Sequence, residues 1–388
     1  MKVAILGASY LQRPLVERAK ELGHTTSVFA WREGSVVDDI ADHYYPVSIL
    51  DKEEILRICR EMEIDGIVTI ATDIAMMSVN YVAAELGLIG NSVASTLIST
   101  DKFEMRKALQ AADIPCPRFY FFERPDFDGQ RHIIDFPVIV KPTDRSGSRG
   151  VTKVERSEQV NDAISKALTE SIQGRVILEE FIEGREFSVE TISYRGKHIP
   201  LAITDKETTG APYFVETAHH QPADISREVE EKIFTATLQT LDVLGIENGA
   251  GHTEVFLTDN GEVRVVEAAG RMGGEFIGSH MVRLSTGYDF IGNVIKVALG
   301  QEPDPAPGHY KAFSGVYYVL PEPGRISRIE DRGEQYPEVV ETVRIKGVGE
   351  IAPVLLDGAG KRSGLFVYRS DHRWRIDDPG SILSFVTE

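Results

Sequence analysis

Short apolar runs alternate with amphipathic stretches through the first hundred residues: Val3 to Leu6, Arg13 to Leu22, Ser27 to Ala30, Lys52 to Met62, Gly66 to Ile70 and Ala75 to Leu86. The short runs have strand length and the longer ones carry apolar positions at helical spacing, so the rhythm predicts a parallel sheet with covering helices. A helix is predicted over Thr100 to Ala112, where capping residues precede a run of helix formers. The apolar run Phe136 to Val140, a loop over 141–150, a helix from Glu158 to Leu168 and strand-like runs at Val176 to Ile182 and Phe187 to Ile192 predict a small α+β unit with a glycine-rich tip. A long amphipathic helix, Ser226 to Leu244, stops before Gly245 and leads into a hairpin; another, Tyr288 to Leu299, precedes the Pro-rich segment Pro303 to Gly308. Beyond it, the runs Phe313 to Leu320, Arg325 to Ile329 and Leu365 to Tyr368 predict a small strand-rich module. The fold class is therefore α/β and α+β. Three domains are expected, at 1–100, 101–305 and 306–388, with a lid subdomain at about 115–185.

The hairpin carries the sharpest chemical signal. In Glu254-Val-Phe-Leu-Thr-Asp-Asn-Gly-Glu-Val-Arg-Val-Val-Glu267, Asn260-Gly261 is the preferred dipeptide of a two-residue type I′ turn. That turn sets Glu254 directly across from Glu267 on one face, with Cβ atoms about 4.5 to 5.5 Å apart. Two ionised carboxylates so placed call for a shared proton, a basic neighbour or a metal ion, and paired oxygen ligands suit Mg2+ completed by water and phosphate. The bland alternative is a pair of solvated glutamates on an edge hairpin. Arg271 follows within Glu-Ala-Ala-Gly-Arg-Met-Gly-Gly, where it either holds a carboxylate or developing oxyanion, or forms a salt bridge to Glu254 or Glu267.

Other segments carry weaker signals. Lys102, in the first turn of a helix, opposes the macrodipole; it is either solvated or there to meet an anion. Lys141 ends an apolar strand and faces the loop Ser146-Gly147-Ser148-Arg149-Gly150, an arrangement suited to phosphate contact. The stretch Glu179-Glu180-Phe181-Ile182-Glu183-Gly184-Arg185-Glu186 can present backbone edges to a base and a carboxylate to ribose hydroxyls. Gly7-Ala8-Ser9-Tyr10-Leu11-Gln12 lacks the second and third glycines of a dinucleotide fingerprint, and no P-loop pattern occurs.

Composition narrows the classes. The 388 residues carry a formal charge of −18, so a nucleic-acid backbone would be repelled, whereas a few lysines and a metal ion can still neutralise one triphosphate. Two cysteines, Cys59 and Cys116, give no disulfide framework or thiolate zinc site and fit a reducing cytoplasm. No apolar stretch reaches membrane-spanning length.

Taken in this order, the elements of residues 100–300 resemble the ATP-grasp superfamily, here with an N-terminal Rossmann-like domain and a strand-rich C-terminal module. The resemblance implies ATP and Mg2+ as cofactors, with Mn2+ as an alternative ion. It implies that Lys102 and Lys141 contact phosphates and that Ser146, Gly147, Ser148 and Gly150 belong to a mobile lid loop. Glu179, Glu180, Ile182 and Glu186 would bind adenine and ribose, Glu254 and Glu267 would bridge magnesium, and Arg271 and Lys141 would be catalytic. Ala269 departs from the pattern, standing where many members have a metal-ligating Asn. The segment Thr204 to Pro222 is similar to the amino-acid ligase branch, which implies substrate contacts by Glu216, His219, His220 and Arg271; adjacent histidines are otherwise more often polar loop residues. The expected activity is ATP-dependent joining of a small-molecule carboxylate, an amino acid, to an amine through an acyl phosphate, with a homodimer compatible. The competing readings are a purine-pathway or carboxyphosphate-forming enzyme, and an ATP-binding regulatory protein without turnover.

Overall fold

The computed structural model describes residues 1–210, 214–353 and 362–388. Four parallel strands, β1 (Lys2–Leu6), β2 (Thr25–Phe29), β3 (His43–Tyr45) and β4 (Gly66–Val68), lie in the order β3-β2-β1-β4. Val3 to Leu6 are wholly buried because helices Arg13–Glu21, Lys52–Met62 and Met76–Leu86 supply the cores on either side of the sheet. The helix expected over Thr100 to Ala112 is Lys102–Ala111, and an unforeseen helix, Val93–Thr100, precedes it and ends at Asp101. Asp101 is the joint. One carboxylate oxygen accepts the N–H groups of Phe103 and Glu104 at 2.9 and 3.0 Å, and the other accepts the Thr143 hydroxyl at 2.9 Å. This cap ties the start of the Lys102 helix to the end of a lid strand.

The lid is a second four-stranded sheet, antiparallel, built from β5 (Phe119–Phe122), β6 (Val138–Pro142), β7 (Thr152–Val154) and β8 (Val176–Glu180) in the order β5-β8-β6-β7. Helix Val160–Glu170 packs on it through Val160, Ile164 and Ala167. The remaining large element is an eight-stranded sheet. It takes β9 (Arg185–Tyr194), β10 (Lys197–Thr208), β11 (Glu216–Gln221), β12 (Gly249–Leu257) and β13 (Val263–Ala269), and then β14 (Phe313–Val319), β16 (Val339–Arg344) and β18 (Gly364–Ser370), in the order β13-β12-β9-β10-β11-β14-β18-β16. Strands β14, β18 and β16, all after residue 306, thus extend this sheet from the β11 edge instead of standing apart. Strands β15 (Gly324–Asp331), β17 (Ile351–Ala352) and β19 (Leu383–Thr387) form a separate three-stranded layer.

The β12–β13 hairpin pairs Glu254 with Glu267, but not by the expected turn. Asp259, Asn260 and Gly261 form a three-residue loop closed by Thr258 N–H donating to Glu262 O at 3.0 Å and Gly261 N–H donating to Thr258 O at 2.9 Å, with Gly261 at φ 80°. That loop alone would offset the register by one residue. A bulge restores it: Val255 pairs with Val265 while Glu254 pairs with Glu267, leaving Val266 as the extra residue. The Val266 carbonyl is taken by the wholly buried Arg106, whose Nε lies 2.8 Å from Glu179.

Arg106 therefore holds both the bulge and a buried carboxylate. Replacing it, as Arg106→Leu, should cost about 3 kcal/mol by stripping one partner from a buried ion pair. The loss should appear as a lower urea midpoint at unchanged slope. A midpoint equal to that of the parent protein would contradict it.

Candidate active site

A cleft of about 650 Å³ opens between the lid and the eight-stranded sheet. Its walls include Lys102, Lys141, Ser146, Gly147, Ser148, Glu179, Glu180, Ile182, Glu186, Glu216, Glu254, Glu267 and Arg271. Of the other residues singled out in the sequence, Gly150, His219 and His220 do not line it. Gly150, at φ 74°, closes the loop against Pro142, whose ring atoms lie 3.0 Å from where a Cβ would stand.

Each carboxylate of the hairpin pair is held by its own lysine. Lys102 Nζ lies 3.1 Å from Glu267 Oε1 and donates to the Arg145 carbonyl at 2.7 Å, so it is buried in an anionic pocket and not solvated. Lys206, on β10, reaches Glu254 at 2.9 Å, Glu186 at 2.6 Å and Glu216 at 3.4 Å, with its side chain only 4% exposed. Burial works against the Lys206 ammonium, but the three carboxylates raise its pKa well above the ordinary lysine value. Burial likewise opposes the Glu254 carboxylate, and Lys206 with His252 holds its pKa well below the usual range. Lys206 was not foreseen. It lies at the polar end of a strand in which no charge pattern distinguishes it from a solvated residue.

Beneath Lys141 sits a second ion cluster. Glu179, 2% exposed, meets Lys141 at 2.6 Å and Arg106 at 2.8 Å. Burial raises the cost of its charge, and the two cations still keep its pKa below the ordinary value. Glu179 is thus committed to cations at the back of the cleft. The Glu180 N–H donates to the Arg118 carbonyl at 2.9 Å.

Arg271 pairs with neither hairpin glutamate. It makes a bidentate pair with Asp73, 2.7 Å from Nε and 3.0 Å from Nη2, and Asp73 comes from the loop after β4. Ala71 N–H donates to the Met272 carbonyl at 3.2 Å, fixing the two loops together. The N-terminal sheet therefore aims Arg271 into the cleft.

Beyond Lys206, where the acceptor is expected, Glu216 lies between Lys206 and Arg362, and despite burial these cations lower its pKa to about 2. Arg362 is wholly buried, also pairs with Glu275 at 2.6 Å and stacks 3.7 Å above the Tyr318 ring. His219 bonds the Tyr318 hydroxyl at 3.0 Å, and burial lowers its pKa to about 3, so the ring is neutral. His220 points the other way, into the core around Tyr317 and Tyr368, because successive strand residues face opposite sides. The expectation that both histidines face the acceptor is corrected on this point: neither lines the cleft, and His220 is a core residue. Residues 211–213 of the Thr204 to Pro222 segment lie outside the described residues. Asp73, Glu190, His252, Glu275 and Arg362 were also missed, since each acquires its partner only through tertiary folding.

Among the described residues, no group of three or more His, Cys, Asp or Glu side chains is gathered as a metal site. The Glu254–Glu267 pair nevertheless fits Mg2+ chemically, because that ion is commonly held by one or two carboxylates and completed by water and phosphate oxygens. No helix among the described residues is long and apolar enough to cross a membrane.

Residues 134–279 match the family model of the ATP-grasp domain. The chain is 29% identical to alanine–anticapsin ligase of Bacillus subtilis (strain 168), over 69% of this chain and 64% of that protein. It is 29% identical to D-alanine–D-alanine ligase of Oceanobacillus iheyensis over 47% of this chain and 53% of that one. This chain thus spans less than two thirds of the length of these curated relatives. Among solved structures, L-amino acid ligase from Bacillus licheniformis superposes with a TM-score of 0.86 at 23% identity, covering 100% of this chain and 98% of that one. Phosphoribosylglycinamide synthetase from Anaerococcus prevotii gives 0.79 at 20%, covering 100% and 99%. The whole chain is thus laid out on the ATP-grasp fold, and its residues 134–279 match the ATP-grasp domain.

Proposed function

We propose that the protein is an ATP-dependent carboxylate–amine ligase that joins amino acids, forming an acyl phosphate and then an amide while releasing ADP and phosphate. The observation that carries this reading is the facing pair Glu254–Glu267, each carboxylate held by one lysine, beside a cleft that ends at Arg271. The resemblance to amino-acid and dipeptide ligases supports the choice of substrate.

A resting carboxylate is a poor acyl donor because its leaving group would be oxide; phosphorylation converts that leaving group to phosphate. Glu254 and Glu267 would hold Mg2+, which neutralises charge on the phosphates during transfer. Lys102 and Lys206 hold these carboxylates at 3.1 and 2.9 Å, which would set two cations beside the phosphates. Lys141, at the end of β6, faces the same space, and loop 146–150 closes over it, excluding water that would hydrolyse the acyl phosphate. Arg271, fixed by Asp73, stabilises the oxyanion formed when the amine attacks. His219, with its pKa near 3, is too weak a base to deprotonate that amine. A cytoplasmic setting accords with the free thiols Cys59 and Cys116.

Phosphate and ADP release from Mg-ATP, measured against single and paired amino acids with products weighed by mass spectrometry, tests the reading. Release that needs two amino acids, with a new dipeptide mass, is the expected result. Release with bicarbonate alone would instead favour carboxyphosphate chemistry, and none with any substrate would sink the ligase reading. Within an active enzyme, Arg271→Ala should lower kcat by roughly 100- to 1,000-fold, the loss typical of an oxyanion donor, with ATP affinity little changed. Parallel loss of ATP binding would contradict that role.

A further inference from the structure

Below the hairpin face lies a buried acid–imidazole pair that the mechanism above does not use. Glu190 on β9 is 0% exposed and His252 on β12 is 5% exposed, and the two are direct cross-strand partners. One Glu190 oxygen bonds His252 Nδ1, and the other accepts the Gly273 N–H at 2.9 Å. On its far side, His252 Nε2 lies 3.4 Å from Glu254 Oε1. His252 also pairs across β13 with Ala269, a residue small enough to leave the imidazole its place on the face shared by Glu254 and Glu267. The fit around Gly273 is tight: a Cβ there would lie 2.4 Å from Glu190 Oε1 and 2.8 Å from His252 Nδ1. Gly273 is two residues from Arg271.

We propose that Glu190 and His252 are positioning residues, a carboxylate–imidazole–carboxylate chain that orients Glu254 toward the metal and anchors the loop carrying Arg271. The proposal rests on the ligase reading for its consequence in turnover, but its effect on metal binding stands apart from that reading. A carboxylate on one imidazole nitrogen fixes the ring's direction, and through the ring it fixes what the other nitrogen touches. Glu190 makes both anchors at once, with one oxygen on the ring and the other on the loop. A pair serving only to fill the sheet would be free to change without altering either the metal carboxylate or the loop.

The test uses the full chain, with Mn2+ as the probe. Loss of the free Mn2+ paramagnetic signal on titration in the presence of ADP gives the metal affinity, and thermal melts establish that each variant is folded. Glu190→Gln and His252→Gln should each weaken Mn2+ binding by about tenfold, the lower end of what supporting partners of metal ligands contribute. The double variant should be no worse than about threefold beyond either single one, because the two act as a unit. ADP affinity without metal should stay within about twofold, as neither side chain faces the base or ribose. Gly273→Ala, which crowds the pair without removing charge, should raise KM for the carboxylate substrate more than it lowers kcat. His252→Gln retains a hydrogen-bonding side chain and decides the matter if Glu190→Gln does not fold. Folded variants with the parent's Mn2+ affinity, or with strictly additive losses, would overturn the proposal. A parent protein that binds Mn2+ and ADP yet ligates nothing would instead overturn the ligase reading while leaving the Mn2+ comparison to judge the pair.

Discussion

Two carboxylates facing each other across one hairpin cannot both stay ionised without cations beside them. At about 5 Å and an effective dielectric near 20, their repulsion is about 3 kcal/mol, a sizeable fraction of a domain's net stability. The chain meets this constraint with Lys206 from β10 on Glu254 and Lys102 from a helix terminus on Glu267. Those lysines are then already next to the carboxylates where a metal–phosphate group would sit. The same contacts that make the hairpin tolerable would keep the cations in place for the triphosphate of the proposed reaction.

The site depends on all three regions of the chain. The N-terminal sheet contributes Asp73, which fixes Arg271; the central sheet contributes the hairpin glutamates and Lys206; the region after residue 306 contributes Arg362, which fixes Glu216 and Glu275. Because β14, β16 and β18 continue the central sheet, Arg362 is delivered by an extension of the same rigid element. The lid loop carries Gly147 and Ser148 at φ 66° and 59°, the left-handed conformation of a sharp tip.

Much of this was legible in the sequence where local rules suffice. Asp101 as a cap put Lys102 at a helix start, and the apolar run before Lys141 marked a strand end. The hairpin pairing was legible for a reason that is only half right: the three-residue loop and the bulge at Val266 each shift the register by one, and the shifts cancel. Arg106, which takes the bulged carbonyl, is far away in sequence, so no local rule shows the bulge. The partner of Arg271 was out of reach for a similar reason. Asp73 lies 198 residues away and becomes its neighbour only when the N-terminal sheet docks. His219 and His220 looked like one polar pair in the sequence, but strand alternation sends them to opposite faces.

The central claim is that a substrate carboxylate is phosphorylated before an amine attacks it. Labelling both carboxylate oxygens of the amino-acid substrate with 18O and reading the phosphate product by 31P NMR tests it directly. The account predicts that one 18O from the carboxylate appears in each phosphate released with product. Phosphate without the label would contradict it, because the oxygen would then have come from water and no acyl phosphate would have formed.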